Sequence, residues 1–332
     1  MFGDQNRPAE NIHPNKQDGQ PLGENYFPND TDIPDFHAAG GGGEIDTVRT
    51  DITLLSNGLT LAGHLHTPVV PADSPTPAIV VVHPWGGVKE QAAGLYAQRL
   101  AEHGCAVLAF DAAYLSTRQD VDPDRIGALG ISTGGGNAVY AAMSDQHIGA
   151  TGTVSAADVG SLLRDGLSDG RDPSVFFSEL VARAGQLRTE EPLDEQALLE
   201  HIVPEVVDET TPRQLRQGPE YYRTAHGAQA WSGNARVVPR SVEQIAQYDS
   251  FAGVESLAPR PLLMIAGSET ATGYFSRTAV ERAGKPKELF WIDDASHFDL
   301  YDKDEYVSLA LAKLTSFFGE HLKQAPAKGR AA

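Results

Sequence analysis

Three residues that together could make a hydroxyl nucleophilic occur along this chain in the order Ser132, Glu269, His297. Serine is a weak nucleophile at its own pKa and needs an adjacent base to accept its proton. That base needs an anion to hold its tautomer and stabilise its cation. His297 is the candidate base and Glu269 the candidate acid. The chemistry open to such a set is acyl transfer, in which the serine oxygen attacks a carbonyl carbon.

Ser132 stands in Gly130-Ile131-Ser132-Thr133-Gly134, after a short apolar run from Ile126 to Leu129 and before Ala138-Val139-Tyr140-Ala141-Ala142. This reads as buried strand, tight turn and helix, the setting of a G-x-S-x-G nucleophile elbow. A serine on so sharp a turn has a strained backbone, and side chains flanking it would collide with strand and helix, so glycine is needed there. The helix starts at the serine, which aims the Thr133 N–H and the helix dipole at a negative charge forming on a bound carbonyl oxygen. A second oxyanion donor is expected from the loop after an earlier strand, and the Trp85 N–H in His83-Pro84-Trp85-Gly86-Gly87 is the candidate. His83 itself reads as a loop histidine held by the backbone.

The remaining elements must bring these residues together. Ala78 to Val82 is β-branched on both faces, which suits a central parallel strand. Strands at Ala106–Phe110, Ala150–Val154, Pro261–Gly267 and Glu288–Ile292 follow, Glu269 leaving the third of these and His297 the fourth. Thr47–Leu55 and Leu59–His66 flank Asn57-Gly58 as a hairpin, Gln91–His103 has helical spacing up to Gly104, and Tyr306–Leu322 closes the fold as a helix. Asp111 to Asp124 must connect two parallel strands in few residues, close to the minimum for a crossover with a helix. An insert at about 159–250 holds amphipathic segments at Val175–Leu187 and Asp194–Ile202, with Tyr221-Tyr222-Arg223 and Trp231, and is expected to cap the pocket. The predicted organisation is a mobile arm over 1–44, a single domain over 45–322 and a disordered tail over 323–332.

The 332 residues, 41% hydrophobic, can bury a large core. A formal net charge of -19 disfavours phosphate backbones and anionic membranes, so neither nucleic acid nor membrane is expected as a partner. The single cysteine, Cys105, starts an apolar run, which excludes an intrachain disulfide and any site built on paired cysteines. No stretch has the length of a membrane span and the N-terminus has no apolar core behind a basic start, so the expectation is a cytoplasmic protein. A small-molecule substrate is the expected partner, and a homo-oligomer is compatible with these features.

His83-Pro84-Trp85-Gly86-Gly87, Asp122-Pro123-Asp124-Arg125-Ile126-Gly127, the elbow, Pro261–Gly267 and Asp294-Ala295-Ser296-His297-Phe298-Asp299-Leu300-Tyr301-Asp302 carry a resemblance. Over residues 47–322 the chain resembles the α/β-hydrolase branch related to dienelactone hydrolases and polyketide-transferase-like proteins. The resemblance implies an α/β fold with an eight-stranded, mostly parallel sheet, a helical cap after the sixth strand, no cofactor or metal, and ester, lactone or thioester substrates. Relatives often carry cysteine at the elbow, and serine here favours ester hydrolysis. Ala271, in Gly267-Ser268-Glu269-Thr270-Ala271-Thr272, occupies the position where relatives place an acid. Glu269 could take over, Asp158 could reach His297 instead, or the triad is weakened. Three readings follow: a serine hydrolase of carboxylic esters or thioesters, an acyl or polyketide transferase using the same residues, and a hydrolase-fold binding protein.

Overall fold

The computed structural model describes residues 45–323, apart from 57, 70–74, 110–114, 116–117, 168–171, 191–199, 205, 210, 212, 225–226 and 228–235. The expected arm over 1–44, the tail from 324, Trp231 and residues 111–114 and 116–117 of the short crossover lie outside the described residues.

The chain opens with β1 (Thr47–Ser56) and β2 (Leu59–Pro68), antiparallel and in register from Thr47 opposite Pro68 to Ser56 opposite Leu59. Next come β3 (Thr76–Val82), α1 (Ala92–Ala101), β4 (Ala106–Ala109), β5 (Val121–Ile131), α2 (Thr133–Ser144) and β6 (Ile148–Val154). Between β6 and the next sheet strand lie α3 (Val159–Asp165), α4 (Pro173–Glu190), β7 (Glu200–His201), α5 (Arg213–Arg223), β8 (Arg236–Val237) and α6 (Val242–Ile245). The chain returns with β9 (Leu262–Gly267), α7 (Gly273–Arg282), β10 (Lys287–Ile292), α8 (Asp299–Asp302) and α9 (Asp304–His321).

Eight strands form one sheet in the order β1-β2-β4-β3-β5-β6-β9-β10, with every pair from β4 to β10 parallel and the hairpin antiparallel at one edge. Parallel strands need helical crossovers, and these cover both faces, which is why the central strands are apolar on both sides. Alternation along β9 shows the division: Leu263 and Ile265 join the core with Tyr96, Leu314 and Phe318 of α1 and α9, while Leu262 and Met264 join Val139, Phe275 and Ala279 of α2 and α7. Amphipathic spacing at Val175–Leu187 becomes part of α4. The expectation for Asp194–Ile202 is corrected where it can be read: Glu200 and His201 are extended and pair with Val237 and Arg236 in a small ribbon. A partner strand there overrides local helical spacing.

The elbow sits between β5 and α2. Ser132 has φ 57 and ψ -125, a left-handed conformation rare outside glycine. Both flanking glycines are explained by distance. A Cβ on Gly130 would lie 2.1 Å from the Gly134 carbonyl oxygen, and one on Gly134 would lie 2.3 Å from the carbonyl oxygen of Val82 at the end of β3.

A methyl group at Gly134 meets the backbone of both Val82 and His83, so Gly134→Ala is expected to lower stability by about 3 kcal/mol. Gly319→Ala, in α9 where nothing stands within 4 Å of the added carbon, is expected to raise it by about 0.5–1 kcal/mol. Urea unfolding of both variants checks this, and effects of the same sign would defeat the steric account.

Candidate active site

Three parallel strands end at the site, and each is followed within two residues by a residue of positive φ that is not glycine: Ser132 after β5, Ser155 after β6 and Asp294 after β10. Such conformations persist only where the surroundings over-determine them. At the elbow, Ser132 N–H donates to the Val154 carbonyl at 2.9 Å, and its own carbonyl accepts from Gly135 at 2.8 Å and Ala157 at 2.9 Å. Beside it, the Ser155 hydroxyl donates to the His297 carbonyl at 3.2 Å. The loop carrying His297 is tied to the loop after β9 by the Glu269 N–H on the Ala295 carbonyl (2.9 Å) and the Asp294 N–H on Ser268 Oγ (2.9 Å). Asp299 closes the other side by accepting from Ser296 N–H at 2.8 Å and pairing with Lys303 at 2.6 Å. Burial works against its charge, but these partners outweigh it and hold the carboxyl below its usual range.

These ties bring together two residues 165 positions apart in sequence: His297 Nε2 lies 3.0 Å from Ser132 Oγ. The Tyr301 hydroxyl lies 3.1 Å from the same nitrogen and close to the hydroxyls of Ser132 and Tyr222. Burial raises Tyr301 well above the usual phenol value, so it stays protonated and a donor. His297 is enclosed by these rings and by Phe298. The resulting desolvation lowers its pKa from the ordinary 6.5 to about 4, leaving a neutral imidazole at physiological pH.

The other ring nitrogen meets a hydroxyl. His297 Nδ1 lies 2.7 Å from Thr272 Oγ1, which in turn lies 2.9 Å from Thr270 Oγ1. Among the described residues neither sequence-nominated carboxylate is within hydrogen-bond or ion-pair distance of the ring. Glu269 lines the same cavity. Asp158 is buried and committed at the N-terminus of α3, where it accepts from Gly160 N–H (2.9 Å), Ser161 Oγ (3.0 Å) and Ser250 Oγ (3.2 Å).

Of the expected oxyanion donors, Thr133 begins α2, where N–H groups have no partner within the helix. The Trp85 N–H donates to Thr133 Oγ1 at 2.7 Å. His83 Nδ1 lies 2.8 Å from the Pro84 carbonyl, and burial lowers the pKa of the ring. Ser132 and His297 open into a cavity of about 530 Å³ whose walls include Leu163, Phe176, Val203, Tyr222 and Phe298. Thr272 and Tyr301 were not nominated from sequence. A signal existed for Tyr301, four residues beyond His297 and so on the same side of a helical turn. Thr272 has none, because its role depends on how two loops pack. Among the described residues no group of three or more His, Cys, Asp and Glu side chains is placed to hold a metal ion, and no helix is long and apolar enough to cross a membrane.

No family model matches the chain. The uncharacterized protein YcjY of Escherichia coli (strain K12) is 34% identical over 273 residues, covering 74% of this chain and 89% of that protein. The uncharacterized protein PA2218 of Pseudomonas aeruginosa is 30% identical over 303 residues, 80% of this chain and 78% of that one. The crystal structure of PA2218 superposes with a TM-score of 0.76 at 27% identity, over 84% of this chain and 95% of that chain. The α/β hydrolase GrgF from Penicillium sp. sh18 shares the fold, with a TM-score of 0.63 at 18% identity over 83% and 99% of the two chains. The chain therefore belongs to the family of YcjY and PA2218, and its fold is that of the α/β hydrolases.

Proposed function

We propose that this protein is a serine hydrolase that cleaves a carboxylic ester or thioester with an apolar acyl or leaving group, through an acyl-enzyme on Ser132. The observation that carries this reading is the 3.0 Å contact between Ser132 Oγ and His297 Nε2 on a strained elbow, opening into a cavity walled mostly by apolar side chains.

Ser132 Oγ attacks the carbonyl carbon while its proton passes to Nε2, and the carbonyl electron pair moves to the oxygen. The oxyanion is stabilised by the Thr133 N–H and the Trp85 N–H. The latter exchanges a neutral acceptor, Thr133 Oγ1, for a charged one, so the donor is held in position before substrate arrives. Collapse expels the alcohol or thiol with the proton from Nε2. Water then repeats the sequence on the acyl-enzyme and releases the acid. Neutral His297 suits the first step, because a base must be unprotonated to accept.

Ser132→Ala is expected to lower turnover of medium-chain p-nitrophenyl esters by about 10⁴- to 10⁶-fold and to abolish labelling by a fluorophosphonate probe. An adduct elsewhere on the folded protein, or equal turnover in both forms, would sink the reading. Since protonated His297 cannot act as base and its pKa lies at about 4, kcat/KM is expected to stay flat from neutral pH down past 6 and to fall only as pH approaches 4. A midpoint at 6.5 or above in a pH–rate profile would contradict the burial argument.

A further inference from the structure

We propose that Thr272, a neutral hydroxyl, takes the place of the acid as the positioning residue for His297, so that the relay is Ser132–His297–Thr272–Thr270. The proposal rests on the serine-hydrolase reading above. That reading fixes the hydrogen-bond polarity. Nε2 must be the acceptor facing Ser132 at 3.0 Å, so the ring proton of the neutral base sits on Nδ1. Thr272 Oγ1, at 2.7 Å, accepts it. The Thr272 hydroxyl then donates to Thr270 Oγ1 at 2.9 Å, which also accepts the Thr272 N–H at 3.2 Å. Thr272 is 6% exposed, so the bond is shielded from competing water.

Two other acids are held by partners of their own. Asp158 accepts three hydrogen bonds at the foot of the cap, and Asp299 is held by Lys303 and Ser296. Glu269, three residues before Thr272, lines the cavity. Charged and titratable groups that share the cavity with the ring are Arg216 and Tyr222 from α5, Tyr301 from α8 and Glu269 from the β9 loop, and the Asp299–Lys303 pair follows His297 in sequence.

A hydroxyl sets the tautomer as a carboxylate does, but its dipole stabilises the imidazolium far less. In the attack step the serine proton moves to Nε2 while the Nδ1 proton stays in place, and the charge so created faces a threonine. Neutral positioning therefore leaves the base unprotonated over a wide acidic range, at the expense of the imidazolium formed in the transition state.

The test uses the full chain with Thr272→Val, Thr272→Ser and Thr272→Asp, each checked for an unchanged urea midpoint. Thr272→Val is expected to lower kcat by about ten- to a hundredfold through the lost hydrogen bond, and Thr272→Ser to restore it. Thr272→Asp, which sets an opposite charge beside the ring, is expected to move the acidic limb of kcat/KM upward by about 1–3 pH units. Nitrogen-15 NMR of the wild-type histidines reads the tautomer without turnover: His297 should carry its proton on Nδ1 at pH 7, and the Nδ1 resonance should shift in Thr272→Val. A proton on Nε2, wild-type kcat in Thr272→Val, or an unmoved acidic limb in Thr272→Asp would each overturn the proposal. Should turnover prove independent of Ser132, the hydrolase reading falls while the tautomer still decides what Thr272 does.

Discussion

Everything at this site depends on one backbone constraint, the left-handed turn at Ser132. The conformation is unfavourable for a residue with a side chain, and it survives because β3, β5 and β6 meet around it with no room for another arrangement. Val82 stops a side chain at Gly134, Gly134 stops one at Gly130, and the peptide groups of Val154 and Ala157 hold Ser132 from the far side. The serine hydroxyl projects from the sheet because its backbone has nowhere else to go.

The same logic repeats at lower intensity on either side. Ser155 and Asp294 also take positive φ at strand ends, and both act on the histidine loop, Ser155 through the His297 carbonyl and Asp294 through Ser268. His297 is thus located by its backbone as well as by its ring. Around the ring the polar partners are hydroxyls: Ser132 and Tyr301 at Nε2, Thr272 at Nδ1. Neutral dipoles and aromatic walls make a dry, weakly polar environment, and a depressed imidazole pKa is what such an environment produces.

Legibility from sequence divides along the range of the interactions involved. The elbow was readable because its causes lie within a dozen residues: apolar strand, glycines at fixed offsets, Ala-rich helix. Strand Ala78–Val82 and the closing helix were readable from composition and period, and the resemblance added the expectation of how they assemble. The partner of Nδ1 was not readable, because it depends on a Ser268–Asp294 contact between loops after two different strands. Glu269 and Asp158 were nominated for their chemistry, yet carboxylates are drawn to the donors nearest them, and Asp158 found two at a helix start and a third in Ser250. Glu200 and His201 show the same limit, since a two-residue strand owes its existence to the segment it meets.

Asp158 carries a consequence for how substrate reaches Ser132. Its carboxylate holds Gly160 and Ser161 where the chain departs into the cap, and Ser250 where the chain comes back. One side chain thus staples together the outgoing and incoming limbs of the insert. Swinging the insert away as a rigid flap would tear three contacts from a charge that has little water to turn to, at 2% exposure. The foot of the insert is thereby tied down both where the chain leaves the sheet and where it returns to it, beside the nucleophile.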